Sequence, residues 1–460
     1  MKMSNVEPLV DQYGNPVHAH GGHMLYEEGY YYWFGENRTG RRKVSCYRSN
    51  DLSQWEWRND VLTLDSPVKP IYHRTSLTLE TKEGADRGYG TGAVIERPKV
   101  LFNATTGRYV MWMHWENGRD YSDARCAIAD CDTVDGDYIY RGSFNPIGHM
   151  SRDCTLFQDD DGTAYFVSAA RENADLIMYR LSPDYLSIEE QVKILWPGQA
   201  REAPAIMKRN GVYFLISSAC TGWLPNQGTY AWSEELTGRW SPLQHLGDAT
   251  TYDSQPAFIV PITGTESGQT SYLYVGDRWD PLHYHTSSYV FLPLSFPSDL
   301  EMRLDWADQI DIDLKSGNLK AEQGASSNRI RIKSIGTGQY LAAGEQLEIR
   351  KLAYGDPEQQ WTVEYDSTGM ARLRSADKVL KVDAEGILIL EAAGAAGNDE
   401  FPWRFTAADE EGLLIGCGEI VLTASSEQRS SNGEITLESK VVHDPRRGAN
   451  KQLFQLIPVR

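Results

Sequence analysis

Five polar residues recur at one phase of a repeating pattern: His20, Glu96, Asp153, Glu202 and Gln255, spaced 76, 57, 49 and 53 residues apart. Each opens a short apolar run, followed by a Gly-containing turn and a Tyr-rich run. Examples are HGGHMLYEEGYYYWFGE from His20 and EAPAIMKRNGVYFLIS from Glu202. If the repeats surround a common axis, these positions converge on one mouth. Strand starts are often polar because they meet solvent. That accounts for polarity but not for Glu-X-Pro at Glu96 and Glu202, or Gln-Pro at Gln255. A mouth of carboxylates suits glycosidic hydrolysis. One protonated carboxyl releases the leaving oxygen and a second group delivers water or attacks, with carboxyls ~6.5–9.5 Å apart for inversion. A like charge in a poorly solvated cleft raises a carboxyl's pKa, a role Asp153 beside Glu202 can fill.

The elements that must position these groups are strands. The turns EG, TG, DGT and NG between β-type runs read as hairpins. Five self-similar units of about 50 residues are the pattern of a β-propeller, typically of ~4–8 four-stranded blades, and five blades are expected. No window longer than about ten residues keeps a helical period, so the fold class is all-β.

The 460-residue chain changes character near residue 310. The first 310 residues hold 22 of the 25 Tyr and 11 of the 13 Trp. Residues 311–328 (DIDLKSGNLKAEQGASSN) have a linker composition. Residues 329–460 carry three units, 330–369, 370–412 and 413–460, each closing on an aromatic anchor: Trp361, Trp403 and Phe454. The threefold repeat with a Q-x-W-like closing strand resembles the β-trefoil of ricin-type lectin modules. Expected domains are therefore a propeller (1–310), a linker (311–328) and a β-trefoil (329–460). Lectin sites of that kind pair an Asp with an Asn or Gln, and Asp383 and Asn398 of the second unit are the candidates.

The formal net charge of −19 disfavours phosphate backbones and anionic lipid, so no nucleic-acid or membrane partner is expected. No run of 18 apolar residues occurs. Met1–Val10 lacks the apolar core of a signal peptide, giving the expectation of a cytoplasmic protein, or a secreted one if a leader has been removed. The six cysteines lack metal-type spacing and read as free thiols. His18, His20 and His23 do not converge at metal-ligand spacing, and DDDG at Asp159–Gly162 is a hairpin turn rather than a calcium loop. No metal or other cofactor is expected, and the chain is expected to be a monomer.

The strings AHGGHMLYEEGYYYWFGE, ERPKV, SRDCTLF, REAPAI, CTGW and GDRW, in this order, resemble glycoside hydrolase family 43, within it the branch of exo-β-1,3-galactanases. The resemblance covers residues 11 to about 300. Branch members often carry a C-terminal trefoil of the family 13 carbohydrate-binding type. Some family members hold a cation on the propeller axis, which the sequence neither shows nor excludes. The resemblance implies an inverting mechanism, with Glu202 as general acid and Asp153 as the carboxylate that tunes it. The usual first-blade Asp base is missing from HAHGG. In this branch a fifth-blade glutamine is thought to replace it, which matches Gln255, while Asp253 is a reserve candidate. Glu96 matches a sugar ligand or partner to the base. Tyr121, Asn173, Thr221 and Glu36 are candidate hydroxyl ligands, with Trp223 a stacking platform. The expected substrate is an oligo- or polysaccharide, β-1,3-galactan first. Alternatives are an α-L-arabinofuranosidase, a β-xylosidase or a non-catalytic galactan-binding lectin.

Overall fold

A computed structural model of the protein describes residues 1–71, 92–118, 120–280, 284–322, 329–353, 356–366, 368–393, 402–407, 413–417, 420–429, 435–441, 452 and 454–459. The chain divides into two compact units. One comprises Met1–Trp279 and His283–Gly324, the other Ala325–Arg460 with Asp280–Leu282.

After β1 (Lys2–Ser4), the first unit forms five antiparallel four-stranded sheets, each a simple meander. The first contains β2 (His20–Glu27), β3 (Tyr30–Asn37), β4 (Lys43–Ser49) and β5 (Glu56–Thr63). The second contains β6 (Val94–Asn103), β7 (Arg108–Glu116), β8 (Arg125–Cys131) and β9 (Ile139–Phe144). The third contains β10 (Cys154–Gln158), β11 (Ala164–Ala170), β12 (Asp175–Leu181) and β13 (Ile188–Leu195). The fourth contains β14 (Arg201–Arg209), β15 (Val212–Ala219), β16 (Gly228–Ser233) and β17 (Gln244–Leu246). The fifth contains β18 (Gln255–Thr263), β19 (Thr270–Arg278), β20 (Ser288–Ser295) and β21 (Arg303–Leu304). The first strand of each sheet packs on that of the next, and β18 packs on β2, so the five sheets close a ring.

Local chemistry explains the hairpins. Glu28 and Gly29 take φ of 48° and 87°, and Asn210 and Gly211 take 50° and 82°. Two consecutive positive φ values give the turn whose twist matches two-residue hairpins. Trp33, Trp55, Trp112, Tyr138, Tyr140, Tyr179 and Tyr274 are almost wholly buried, filling the space between neighbouring sheets. Most of the Tyr and Trp excess is therefore packing.

A separate three-stranded sheet joins the chain start to the end of the first unit. β1 pairs with β22 (Gln309–Asp313), which pairs with β23 (Asn318–Glu322). The segment from 311 to 322, expected as linker, is thus largely a hairpin of the first unit. Its polar residues alternate with buried Ile310 and Ile312, a period-2 pattern hidden by its Gly and Ser content. Asn5 stitches β20 to the chain start, donating to Phe291 and Ala307 carbonyls (2.7 and 2.8 Å) and accepting from Phe291 N–H (2.8 Å).

In the first sheet, Gly22 allows backbone contact: a Cβ there would lie 2.2 Å from the Phe34 carbonyl oxygen and 2.7 Å from that of Ala19. Gly22→Ala should lower stability by about 2–3 kcal/mol or more, read as a fall in the urea midpoint at unchanged m.

In the second unit the described strands join one network of 12 strands. Trp361, Trp403 and Phe454 are fully buried in a single cluster with Ile332, Leu341, Leu380 and Ile415. Trp361 and Trp403 donate their indole N–H to equivalent carbonyls, Leu341 (3.0 Å) and Leu380 (2.8 Å). Gln359 is locked into the backbone of Lys351 and Ala353. Asp383 caps a hairpin turn by accepting from Glu385 and Ile387 N–H (3.0 and 2.7 Å). Asn398 lies outside the described residues.

Candidate active site

A cleft of about 180 Å³ opens at the end of the ring where the first strands begin. Glu96, Asp153, Glu202 and Gln255 line it, as do Glu36, Tyr121, Asn173 and Trp223 from second strands and the loops beyond them. Antiparallel register explains the pairing: Glu96 sits opposite His114, Glu202 opposite Ser218 and His20 opposite Glu36. Eight of the nine residues expected at the substrate site thus share one cleft.

The Glu-X-Pro triplets are strand irregularities. Arg97 and Ala203 take φ of 54° and 51°, and the register shifts between Glu96 and Lys99 and between Glu202 and Ala205. A bulge of this kind re-aims side chains at the rim of a sheet. The first sheet does the same with Gly21 (φ 57°). The strain is held by surrounding contacts, as is common where side-chain direction is functional.

Glu202 is 9% exposed. Gln255 Nε2 donates to its Oε1 (3.0 Å) and Asn173 Nδ2 to its Oε2 (3.2 Å). Burial, and then the negative charge of Asp153, push its carboxyl up to about 8, against the opposing pull of Arg97. Glu202 therefore holds its proton through neutral pH and can give it to a leaving group.

Arg97, absent from the residues expected from sequence, is the hub. It is 3% exposed and pairs with Asp153 Oδ2 (3.1 Å). The same guanidinium donates to Gln255 Oε1 and to the Pro256 carbonyl (2.7 Å). Asp153 also accepts the Ala203 N–H (3.1 Å). Gln255 is held on both sides: Oε1 accepts from Arg97 and from Trp279 Nε1 (2.8 Å), while Nε2 donates to Glu202 and to Ser218 Oγ (3.1 Å).

Across the cleft, Glu96 accepts from Arg38 and Tyr121 and lies 3.0 Å from His114 Nδ1. Burial opposes its charge, but His114 and Arg38 outweigh burial and hold Glu96 well below the usual carboxylate range. Burial likewise opposes the charge on His114, yet Glu116 (3.0 Å from Nε2) and Glu96 raise it to about 9. Glu36, raised to about 7 mainly by burial, accepts from Arg38 Nε (3.0 Å). Arg38 also lies over the rings of Tyr284 (4.7 Å) and Trp223 (5.4 Å), so the aromatic wall and the ion pairs are one assembly.

Several expected residues stand elsewhere. Thr221 does not line the cleft; its hydroxyl donates to Leu224 O (2.6 Å) and accepts from Asn226 (2.7 Å), tying the loop that carries Trp223. Asp253 sits before β18 with φ 58°, outside the lining, so the strand alternation that would align it with Gln255 does not reach it. His20 is fully buried, 3.2 Å from Asp277 and stacked on Tyr289. Ligand atoms of Glu96, His114 and Asp153 converge within 4.8 Å, a set able to hold a cation, but Arg38 and Arg97 already supply the counter-charge. The residues that sequence reasoning leaves out carry a partial signal. His114 and Glu116 alternate in MHWE, and Arg97 is the middle residue of Glu-X-Pro.

Proteins similar to this chain include glycoside hydrolases. A family model, glycosyl hydrolases family 43, matches residues 101–289. An exo-β-1,3-galactanase from Clostridium thermocellum is 37% identical with a TM-score of 0.63, each chain covered in full. An exo-β-1,3-galactanase from Phanerochaete chrysosporium, solved with β-1,3-galactotriose, is 26% identical over 100% of this chain and 92% of that one (TM-score 0.63). A family 43 β-1,3-galactosidase solved with galactodeoxynojirimycin is 30% identical over 66% of this chain and 99% of its own (TM-score 0.57). A protein of Xylanibacter ruminicola described as a β-xylosidase is 28% identical over 123 residues, 24% of each chain, so this match spans about a quarter of that relative. With a relative matched at 37% identity over its whole length, the chain belongs to glycoside hydrolase family 43.

Proposed function

We propose that the protein is an exo-acting, inverting glycoside hydrolase that removes terminal galactose from β-1,3-galactan. The observation that carries this is a buried carboxyl, Glu202, kept protonated by burial and by Asp153 in a cleft of about 180 Å³. Galactan is supported by the galactan- and galactose-directed relatives, and by the absence of a first-sheet carboxylate at His20.

In this reading Glu202 protonates the leaving oxygen, Asp153 tunes it and Gln255 positions the attacking water. Glu96, Tyr121 and Asn173 hold sugar hydroxyls, and Trp223 offers its face to the ring. The ring of five sheets is read as a five-bladed propeller. The second unit, with its equivalent Trp anchors, is read as a β-trefoil of carbohydrate-binding type.

Incubation with β-1,3-galactan, galactobiose, an aryl β-xyloside and an aryl arabinofuranoside tests the substrate, with early product followed by proton NMR. Galactose from the first two, appearing first as the α-anomer, is expected. Initial β-anomer would overturn inversion, and turnover confined to the xyloside or arabinofuranoside would overturn galactan specificity. No turnover of any would favour a lectin.

A further inference from the structure

A second groove lies away from the cleft, at the opposite end of the first sheet. Strand β3 runs from Tyr30 to the cleft residue Glu36, so its start is about 20 Å from that residue along the strand. Around this far end, Val10–Tyr13, Tyr30, Arg48–Asn50 and Ser53–Glu56 line a depression of about 710 Å³, about four times the cleft.

The groove is built rather than incidental. Its loop wall is tied to β5: Gln12 N–H donates to Trp55 O (2.9 Å), and Gln12 Oε1 accepts from Trp57 N–H (2.7 Å). Asp11 closes the loop by accepting from Tyr13 and Asn15 N–H, both at 2.9 Å.

Aromatic exposure is concentrated here. Among the described residues of the first unit, four aromatic side chains are substantially exposed. One is Tyr121 in the cleft; the others, Tyr13 (74%), Tyr26 (53%) and Trp57 (40%), gather at this end of the first sheet.

The ionic side chains of the groove have partners. Arg48 donates to Glu56 (2.8 Å) and covers the Tyr30 ring at 4.6 Å, and Glu56 also accepts from Arg58. Asp11 is committed to its own turn. The exposed lining residues are Val10, Gln12, Tyr13, Asn50 and Gln54. A flat apolar face rimmed by neutral amides suits an uncharged polyol with C–H faces and hydroxyl edges.

We propose that this groove is a second binding site for a neutral polysaccharide, a β-1,3-galactan chain, separate from the cleft. The identity of the glycan rests on the substrate proposed above. The groove anchors the polymer while a chain end is processed at the cleft, raising the effective concentration of ends.

Affinity electrophoresis in gels containing β-1,3-galactan tests this, using full-length Glu202→Gln so that the polymer is not consumed. Adding Tyr13→Ala and Gln54→Ala is expected to weaken retention about tenfold. In the active enzyme the same pair should raise KM on the polymer. It should leave kcat/KM on galactobiose, too short to reach both sites, within about twofold. Unchanged retention overturns the proposal, and so does a parallel fall on galactobiose, which would mark a distorted fold. Electrophoresis needs no turnover. Weakened retention therefore supports the groove even if galactan is not hydrolysed, while normal hydrolysis with unchanged retention removes the groove and leaves the substrate reading standing.

Discussion

Glu202→Gln is expected to lower kcat on β-1,3-galactan by about 10³-fold while leaving the fold intact, since loss of general acid catalysis typically costs ~10²–10⁴-fold. The side chain is isosteric with the protonated acid but has no proton to give. The pH dependence of the parent enzyme supplies a second reading. Glu202 must be protonated to work, so kcat/KM should fall as pH rises through about 8. Asp153→Asn removes a charge that raises that value, so the alkaline limb should move to lower pH.

Stability follows the same group. Its folded pKa lies above the ordinary value of 4.5, so between about 4.5 and about 8 the folded state binds more protons than the unfolded. The parent protein therefore loses stability as pH rises through this window, a loss the Gln variant is spared. Melting temperatures should agree near pH 4 and favour Glu202→Gln at pH 8. A variant retaining more than about a tenth of parental kcat would remove Glu202 from the role of acid.

Replacing Arg97 should have an effect almost as large, for a different reason. Its guanidinium holds Asp153, Gln255 and the Pro256 carbonyl together. Arg97→Met would leave the Asp153 carboxylate without its partner in the cleft and Asp277 without a cation 4.0 Å away. Removing one member of a buried pair costs about 3–5 kcal/mol, enough to threaten folding. Arg97→Lys is the more informative variant, because it keeps the charge and loses the planar fork. It should fold, keep the alkaline limb near its parental position and lose about 10²-fold in kcat through misplacement of Gln255. Parental kcat in a folded Lys variant would show that Gln255 needs no such support. A limb moved markedly with kcat preserved would assign Arg97 to charge tuning alone.

Much of the site is legible in the sequence because a repeat fold turns sequence phase into spatial position. Glu96, Asp153, Glu202 and Gln255 can be grouped from spacing because each lies in, or immediately precedes, the first strand of its sheet. His20 shares that phase but not that destination: Asp277 and Tyr289 hold it inside the ring. Thr221 departs from expectation in a similar way, since a loop's internal hydrogen bonds are invisible in its composition. The polar stretch after residue 310 reads as a linker because Gly and Ser at a hairpin turn resemble those of a flexible connection.

Local propensity and periodicity, which one chain displays openly, account for the strand-and-turn pattern, the two repeat types, the aromatic packing and the positions of the acids. Which charges meet depends instead on how the sheets close. Arg97 reaches Gln255 in another sheet, Arg38 bridges Glu36 and Glu96, and burial beside Asp153 gives Glu202 its raised pKa. Desolvation and charge proximity are properties of the closed ring, where residues 158 positions apart come into hydrogen-bond contact.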